Sequence, residues 1–168
     1  MQLYLKHILK FFIVLSIGVA PLLTQCPDNF VINPQYVGNE NQNECYPEDL
    51  VYYSSVSQGF YVFLNAALNG QDISSEDWVG AFNGDVCVGN RKWGDCYDPN
   101  RIACDVPVLG YDGSEFTEGY MTVSGIPSFK IYDASENIYI DAEATTYYPW
   151  YTNMAEVVEL LYSDSSIE

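Results

Sequence analysis

Along most of this chain, short segments rich in β-branched and aromatic residues alternate with clusters of turn-forming residues. Within residues 126–144, for example, Phe129 and Ile131 alternate with Lys130. Because neighbouring side chains of a strand point to opposite faces, this period of two predicts β-strands. Many short strands separated by turns predict an all-β fold over residues 50–163, specifically an immunoglobulin-like or jelly-roll β-sandwich.

The C-terminal segment, residues 151–163, has a pattern that suits two kinds of secondary structure. Asn153 and Glu156 have the spacing of a helix cap, and the apolar residues that follow fall on one helical face. The neighbouring Val157 and Val158 would also suit a strand that closes the sandwich. Of the two, we favour a short C-terminal helix.

The sequence EDWVGAFNGDVCVG, residues 76–89, predicts a β-hairpin. Asn83-Gly84 suits a type I′ loop, which needs two positive φ angles. With that loop, one face of the hairpin carries the predicted core residues Val79, Ala81, Val86 and Val88. The other face mixes Trp78 with small residues, so either another part of the chain or a ligand packs beside Trp78.

The first 25 residues predict a secretory signal peptide. Lys6 and Lys10 precede an apolar run at 11–20, which is shorter than the roughly 20 residues of a membrane-spanning helix. We therefore expect a protein that is secreted or held at the cell surface, without stable membrane insertion after cleavage. An N-terminal membrane anchor is the alternative.

All five cysteines follow the predicted signal peptide, and exported proteins usually carry disulfides. Cys26 and Cys45 bracket one polar segment, and Cys96 and Cys104 bracket another, so we predict these two pairs. Each closure contributes about 2–4 kcal/mol, mainly by restricting the unfolded chain. Cys87 is then the free thiol, unless it pairs with one of the last two cysteines.

The segment that remains after cleavage has about the length of a single domain. The predicted organisation is a signal peptide at 1–25, a disulfide-stapled irregular lead-in at 26–49, the β-sandwich at 50–163 and a short acidic tail at 164–168.

Charge and composition exclude several classes of function. The chain has 23 acidic and 6 basic residues, a formal net charge of −17, and its one histidine lies in the predicted signal peptide. Such acidity disfavours nucleic acid as a partner. Without histidine, Ser-His-Asp and Cys-His catalysis and histidine-bound zinc are excluded. We expect no enzyme, although a small glycoside hydrolase with paired carboxylates is an alternative.

No cofactor is required by the sequence, but two acidic loops could bind calcium, which prefers several oxygen ligands. The predicted ligands in GDCYDPNRIACD are Asp95, Asp98, Asn100 and Asp105. The second loop is YDGSEFTEG at 111–119, with Asp112, Ser114, Glu115 and Glu118 as candidate ligands. Acidic loops of this kind are commonly only solvated.

Aromatic residues predict a glycan-binding surface. TTYYPWYTN, residues 145–153, places Tyr147, Tyr148, Trp150 and Tyr151 around a proline, which disfavours a regular interior strand. These rings could stack on a sugar, with Trp78 as a further ligand-binding residue. The alternative is that they cap the open end of the sandwich.

The stretches DWVGAFNGDVCVG, GYDGSEFTEGY and IPSFKIYDASENIYIDA, in this order, resemble a β-sandwich module of secreted proteins of marine bacteria. Those proteins are often exported by the type IX system. The resemblance covers roughly residues 50–145 and implies an extracellular or cell-surface module whose activity is not established, with no catalytic residue assigned. We therefore predict a non-catalytic module for an extracellular glycan or glycoconjugate, with adhesion to a surface protein as the alternative.

Overall fold

The computed structural model describes residues 26–33, 44–96 and 103–164, and over these residues the protein is an all-β sandwich. The predicted signal peptide and residues 165–168 lie outside this range. The strands are β1 (Phe30–Ile32), β2 (Cys45–Pro47), β3 (Gln58–Leu68), β4 (Gln71–Asp72), β5 (Trp78–Asn83), β6 (Val86–Lys92), β7 (Cys104–Leu109), β8 (Ser128–Asp133), β9 (Ile138–Ala144) and β10 (Ala155–Ser163). Short 3-10 turns at Glu48–Leu50, Trp93–Cys96 and Glu115–Thr117 complete the described regular structure.

The main sheet is curled, so that its two halves face each other. The strand order is β4-β3-β10-β9-β8-β5-β6, and β7 pairs with β3. The β3–β10 pair is parallel, and the other pairs are antiparallel. β6 lies so close to β7 that any side chain in place of Gly89 would collide with the Pro107 carbonyl.

The core lies between the two halves of this sheet. Alternate strand residues point into it, and Phe63 and Phe129 meet edge to face with ring centroids 5.1 Å apart. Its other buried residues include Tyr61, Val79, Ala81, Val88, Val106, Val108, Ile131, Val158 and Leu161. As predicted, the alternation of apolar residues in the sequence arises from strands that turn one face toward the core.

A second apolar cluster covers the outer face of β5, β6 and β8. Leu50, Trp78, Phe82, Cys87 and Tyr132 are buried here. The lead-in supplies the cover, because β1 and β2 pair as a small antiparallel sheet whose aromatic side chains pack on this cluster. The lead-in is therefore more regular than the irregular segment that we predicted.

The predicted hairpin is confirmed, but its loop lies one residue further along. Asn83 pairs with Val86, so Gly84 and Asp85 form the loop, and of these only Gly84 has a positive φ. A glycine at the first central position is typical of a type II′ turn. The Asn83 side chain donates to the Gly119 carbonyl at 2.9 Å, which explains why this residue ends a strand instead of entering the loop.

The shifted loop changes the predicted core face. A bulge between Ala81 and Phe82 leaves Val88 without a partner on β5, although its side chain still points into the core. Val79, Ala81 and Val88 are fully buried as predicted, whereas Val86 is 37% exposed and its assignment to the core was wrong.

The C-terminal segment is strand β10, so the predicted short helix was wrong. β10 pairs with β3 over most of its length and with β9 near its end. Val158 and Leu161 both point into the core, as do their partners Phe63 and Ala66. Because both strands change face between these positions, core residues are spaced by three, which imitates a helical period.

Both predicted disulfides are confirmed. Cys26 pairs with Cys45 and Cys96 pairs with Cys104, with Cα atoms 5.5 Å and 5.0 Å apart. Cys87 is free and buried in the second cluster.

We expect Cys87 to be inert to alkylation in the folded protein. Burial raises the pKa of its thiol to about 12, because the apolar surroundings disfavour the thiolate that reacts. Iodoacetamide should label no cysteine in native protein and label Cys87 alone in unreduced protein in urea, as read by mass spectrometry. Labelling of the native protein at neutral pH would contradict this position for Cys87.

Candidate functional site

A cleft opens between the lead-in and the edge formed by β6, and we call it the Trp78 cleft. Its volume is about 400 Å³. The side chains that matter for its chemistry are Tyr46, Trp78, Asn90, Arg91, Lys92 and Asp95. They include an aromatic pair, an amide and both signs of charge, which is the mixed composition of small-ligand sites.

Two walls of the cleft are held by the two disulfides. β2 forms one wall and is tied back by the Cys26–Cys45 bond. The end of β6 and the following 3-10 turn form the other, and the Cys96–Cys104 bond ties this turn to β7. Trp78 pairs with Lys92, and Gly80 pairs with Asn90, so the side chains of Trp78, Asn90 and Lys92 share one face.

Trp78 is buried, and its side chain has no hydrogen-bond partner in the part of the chain that the structure describes. Its side chain is 8% exposed, and its ring lies 5.3 Å from that of Tyr46. Within the described residues, no acceptor meets the indole N–H. A buried indole usually finds such a partner, and Trp78 is one of the residues that line the cleft.

Asn90 complements Trp78 as an acceptor. It is 5% exposed, and its Nδ2 donates to the Leu50 carbonyl at 2.6 Å, which fixes the orientation of the amide. No donor among the described residues reaches its Oδ1. Most buried polar atoms are hydrogen-bonded. Among the described residues, two residues that line the cleft depart from this rule, Trp78 with a donor and Asn90 with an acceptor.

The charges at the rim are largely paired within the protein. Arg91 donates to the Asp105 carbonyl at 2.9 Å and to its carboxylate at 3.0 Å. Lys92 lies 2.6 Å from the exposed Glu76, and this hydrogen bond holds the pKa of Glu76 below its usual value. Exposed ion pairs of this kind are weak, so Lys92 could exchange Glu76 for a ligand atom.

Trp150 does not belong to an exposed aromatic surface, so its predicted ligand-binding role was wrong. It is 1% exposed, its Nε1 donates to the Val108 carbonyl at 2.9 Å, and its ring fills the space over Gly110. For Trp150, the alternative prediction is the one that holds, namely that the ring caps the core of the sandwich.

The three tyrosines that were predicted to bind a ligand differ in their exposure to solvent. Tyr147 and Tyr151 are exposed, and Tyr148 is half-buried near the core, where its backbone carbonyl accepts from Tyr61. None of these three lines the Trp78 cleft. Trp78 is therefore separated from them, and the binding role of Tyr147, Tyr148 and Tyr151 stays a prediction.

The predicted calcium ligands are only partly described. Asp98 and Asn100 lie outside the described residues, Asp105 is paired with Arg91, and Asp95 lines the Trp78 cleft. Across 26–33, 44–96 and 103–164, no group of three or more histidine, cysteine, aspartate or glutamate side chains could hold a metal ion. Calcium stays a prediction.

In the second acidic loop, hydrogen bonds from the protein occupy the Asp112 carboxylate. It accepts from the Thr117 hydroxyl at 2.7 Å and from the Ser114 and Val56 amides, both at 3.1 Å. These bonds, that of Thr117 foremost, lower the pKa of Asp112 to about 2. This carboxylate organises the loop.

Four residues of the Trp78 cleft were not predicted from the sequence: Tyr46, Asn90, Arg91 and Lys92. One signal was present, because Arg91-Lys92 is a basic pair in a very acidic chain. Their proximity to Trp78 and Tyr46 follows from the hairpin register and from the lead-in packing, which local patterns do not reveal.

No helix in the part of the chain described here is long and apolar enough to cross a membrane. The chain matches no family model, no curated protein and no solved structure. The resemblance to the β-sandwich module of marine bacteria therefore stays a prediction.

Proposed function

We propose that this protein is a non-catalytic binding module for glycans or glycoconjugates, and that the Trp78 cleft holds the ligand. The observation that carries the proposal is that two buried residues lining this cleft each hold a polar atom, the Trp78 indole N–H and the Asn90 Oδ1, that has no partner among the described residues.

A hydroxyl group suits this pair because it both accepts and donates a hydrogen bond. One sugar hydroxyl, or two neighbouring ones, would accept from Trp78 and donate to Asn90. A purely apolar ligand would leave both atoms unpaired, at about 1–3 kcal/mol each. The ring of Tyr46, which is only partly buried and lies 5.3 Å from that of Trp78, offers apolar surface for the C–H groups of a sugar.

Secretion or display at the cell surface belongs to this proposal. The two disulfides support it, because such bonds persist mainly in oxidising compartments outside the cytosol. A glycan ligand would be abundant in the same compartments. Adhesion to a surface protein is the second candidate, and a separate surface of the molecule favours it, as described below.

The test is a glycan-array screen of oxidised protein, run with calcium and again with a chelator. For a glycan that binds, Trp78→Phe should lower the affinity about tenfold, because it removes the indole donor and keeps a ring. Trp93→Phe is the matched control, since Trp93 lies next to Lys92 in sequence but does not line the cleft. Its affinity should equal that of the wild type.

Other outcomes would redirect the proposal. Equal affinities of the Trp78→Phe and wild-type proteins would remove Trp78 from the site. Loss of binding in Tyr147→Ala or Tyr151→Ala would move the ligand to the exposed tyrosines. Release of reducing sugar would favour the glycoside hydrolase, and loss of binding with chelator would place calcium in the site.

A further inference from the structure

Six large apolar side chains are exposed on the loops at one end of the sandwich, and we call them the loop-end patch. They are Val56, Tyr111, Phe116, Val123, Ile126 and Tyr151. This is more than half of the exposed large apolar side chains found in the described residues, and Val56 is 87% exposed. Single exposed apolar residues are normal, but a contiguous group usually marks an interaction site.

Hydrogen bonds join the loops that carry the patch. They link Val56 N to Asp112 Oδ2 at 3.1 Å, Ser57 Oγ to Thr152 Oγ1 at 2.7 Å, and Tyr151 OH to Ser124 Oγ at 3.3 Å. In addition, Phe116 packs on Tyr53 with ring centroids 5.2 Å apart. These contacts join the loops to one another, and the joined loops carry the six exposed apolar side chains.

The surroundings of the patch are acidic. A pocket of about 620 Å³ adjoins it, lined in part by Tyr111, Glu115 and Glu118. Among the described residues, neither glutamate side chain has a hydrogen-bond or ion-pair partner. The loop segments 51–57, 110–126 and 150–154 contain no lysine, arginine or histidine. The end of the sandwich thus combines apolar surface with negative charge that no described residue neutralises.

We propose that the loop-end patch docks a partner protein through a segment in which apolar side chains lie beside lysine or arginine. The apolar side chains would cover the patch, and the basic ones would pair with Glu115 and Glu118. A second copy of this chain fits poorly, because its own patch carries the same negative charge. An anionic lipid surface is disfavoured for the same reason. The inference is independent of the ligand in the Trp78 cleft.

The probe is a synthetic peptide of alternating leucine and lysine, titrated calorimetrically into the full chain at physiological salt. Two peptides separate the two requirements. Alternating leucine and glutamate keeps the apolar residues with the wrong charge, and alternating serine and lysine keeps the charge without the apolar residues. Only the leucine–lysine peptide should bind.

Matched variants locate the binding on the molecule. Phe116→Ser combined with Val123→Ser should weaken binding about tenfold or more. Ile138→Ser combined with Val157→Ser should have no effect, because these exposed residues lie outside the patch. Likewise, Glu115→Gln with Glu118→Gln should weaken binding more than Glu136→Gln with Glu159→Gln, which removes the same charge elsewhere.

Three results would overturn the proposal. The first is that the leucine–lysine peptide does not bind. The second is that it binds the patch variants and the control variants with equal affinity, and the third is that the serine–lysine peptide binds as tightly as the leucine–lysine peptide. The second and third results would indicate general attraction to an acidic protein. Binding of a glycan that Phe116→Ser with Val123→Ser abolishes would assign the patch to a saccharide instead.

Discussion

Trp150→Ala is expected to lower the free energy of unfolding by about 4 kcal/mol, as is usual when a large buried aromatic is truncated. The ring is 1% exposed and fills the space over Gly59 and Gly110, where a side chain would collide with it. The substitution also leaves the Val108 carbonyl without the indole donor, which lies 2.9 Å away. Both losses occur at the capped end of the core.

Urea denaturation followed by tryptophan fluorescence and circular dichroism measures this effect. Tyr147→Ala is the matched control, because it removes an exposed aromatic ring from the same segment, and we expect a change within about 0.5 kcal/mol. A Trp150→Ala protein as stable as the wild type would show that the ring does not cap the core.

Ala81→Asp should destabilise the protein by about 4 kcal/mol or more, enough to unfold many domains of this size. Ala81 is fully buried among core residues of the curled sheet, and it pairs with Gly89 on one side and Phe129 on the other. No cation lies on these neighbours to compensate a carboxylate. The charged form would therefore be buried without a partner, and its pKa would rise.

The expected rise in pKa has a testable sign. A carboxyl group that is hard to ionise in the folded state destabilises most at neutral pH, and the penalty shrinks as pH falls toward the ordinary pKa of aspartate. Melting of Ala81→Asp and wild-type protein at several pH values measures this difference. Val86→Asp is the control, because Val86 lies at the exposed end of the hairpin, and a comparable loss there would contradict the observed register.

Val86 and β10 show why alternation of residue types was an incomplete guide to the fold. The hairpin loop begins one residue later than the pattern predicted, because Asn83 bonds to a segment far away in sequence, and Val86 therefore lies beside the loop at the exposed end of the hairpin. In β10, a matching change of face in β3 spaces the buried residues by three, so a strand has the pattern of a helix. Both errors come from contacts between distant segments.

Trp150 was misassigned to the site for a related reason. An aromatic ring beside a proline has the same local sequence whether it faces water or the core. The indole bond to Val108 and the close fit over Gly110 put this ring in the core, and both partners lie about 40 residues earlier in the chain. Trp78 has a similar local pattern but lines a cleft, because the lead-in leaves a gap beside it.

Local sequence was enough to establish the all-β class, the hairpin at 76–89 and both disulfides. These features depend on turn-forming residues, on alternation and on cysteines close together along the chain, all of which act over a few residues. The closure of the curled sheet, the strand at the C-terminus and the Trp78 cleft depend on long-range contacts. The register of the β5–β6 hairpin puts Trp78 and Asn90 on one face, and the cleft exists only because the lead-in, which carries Tyr46, packs beside them.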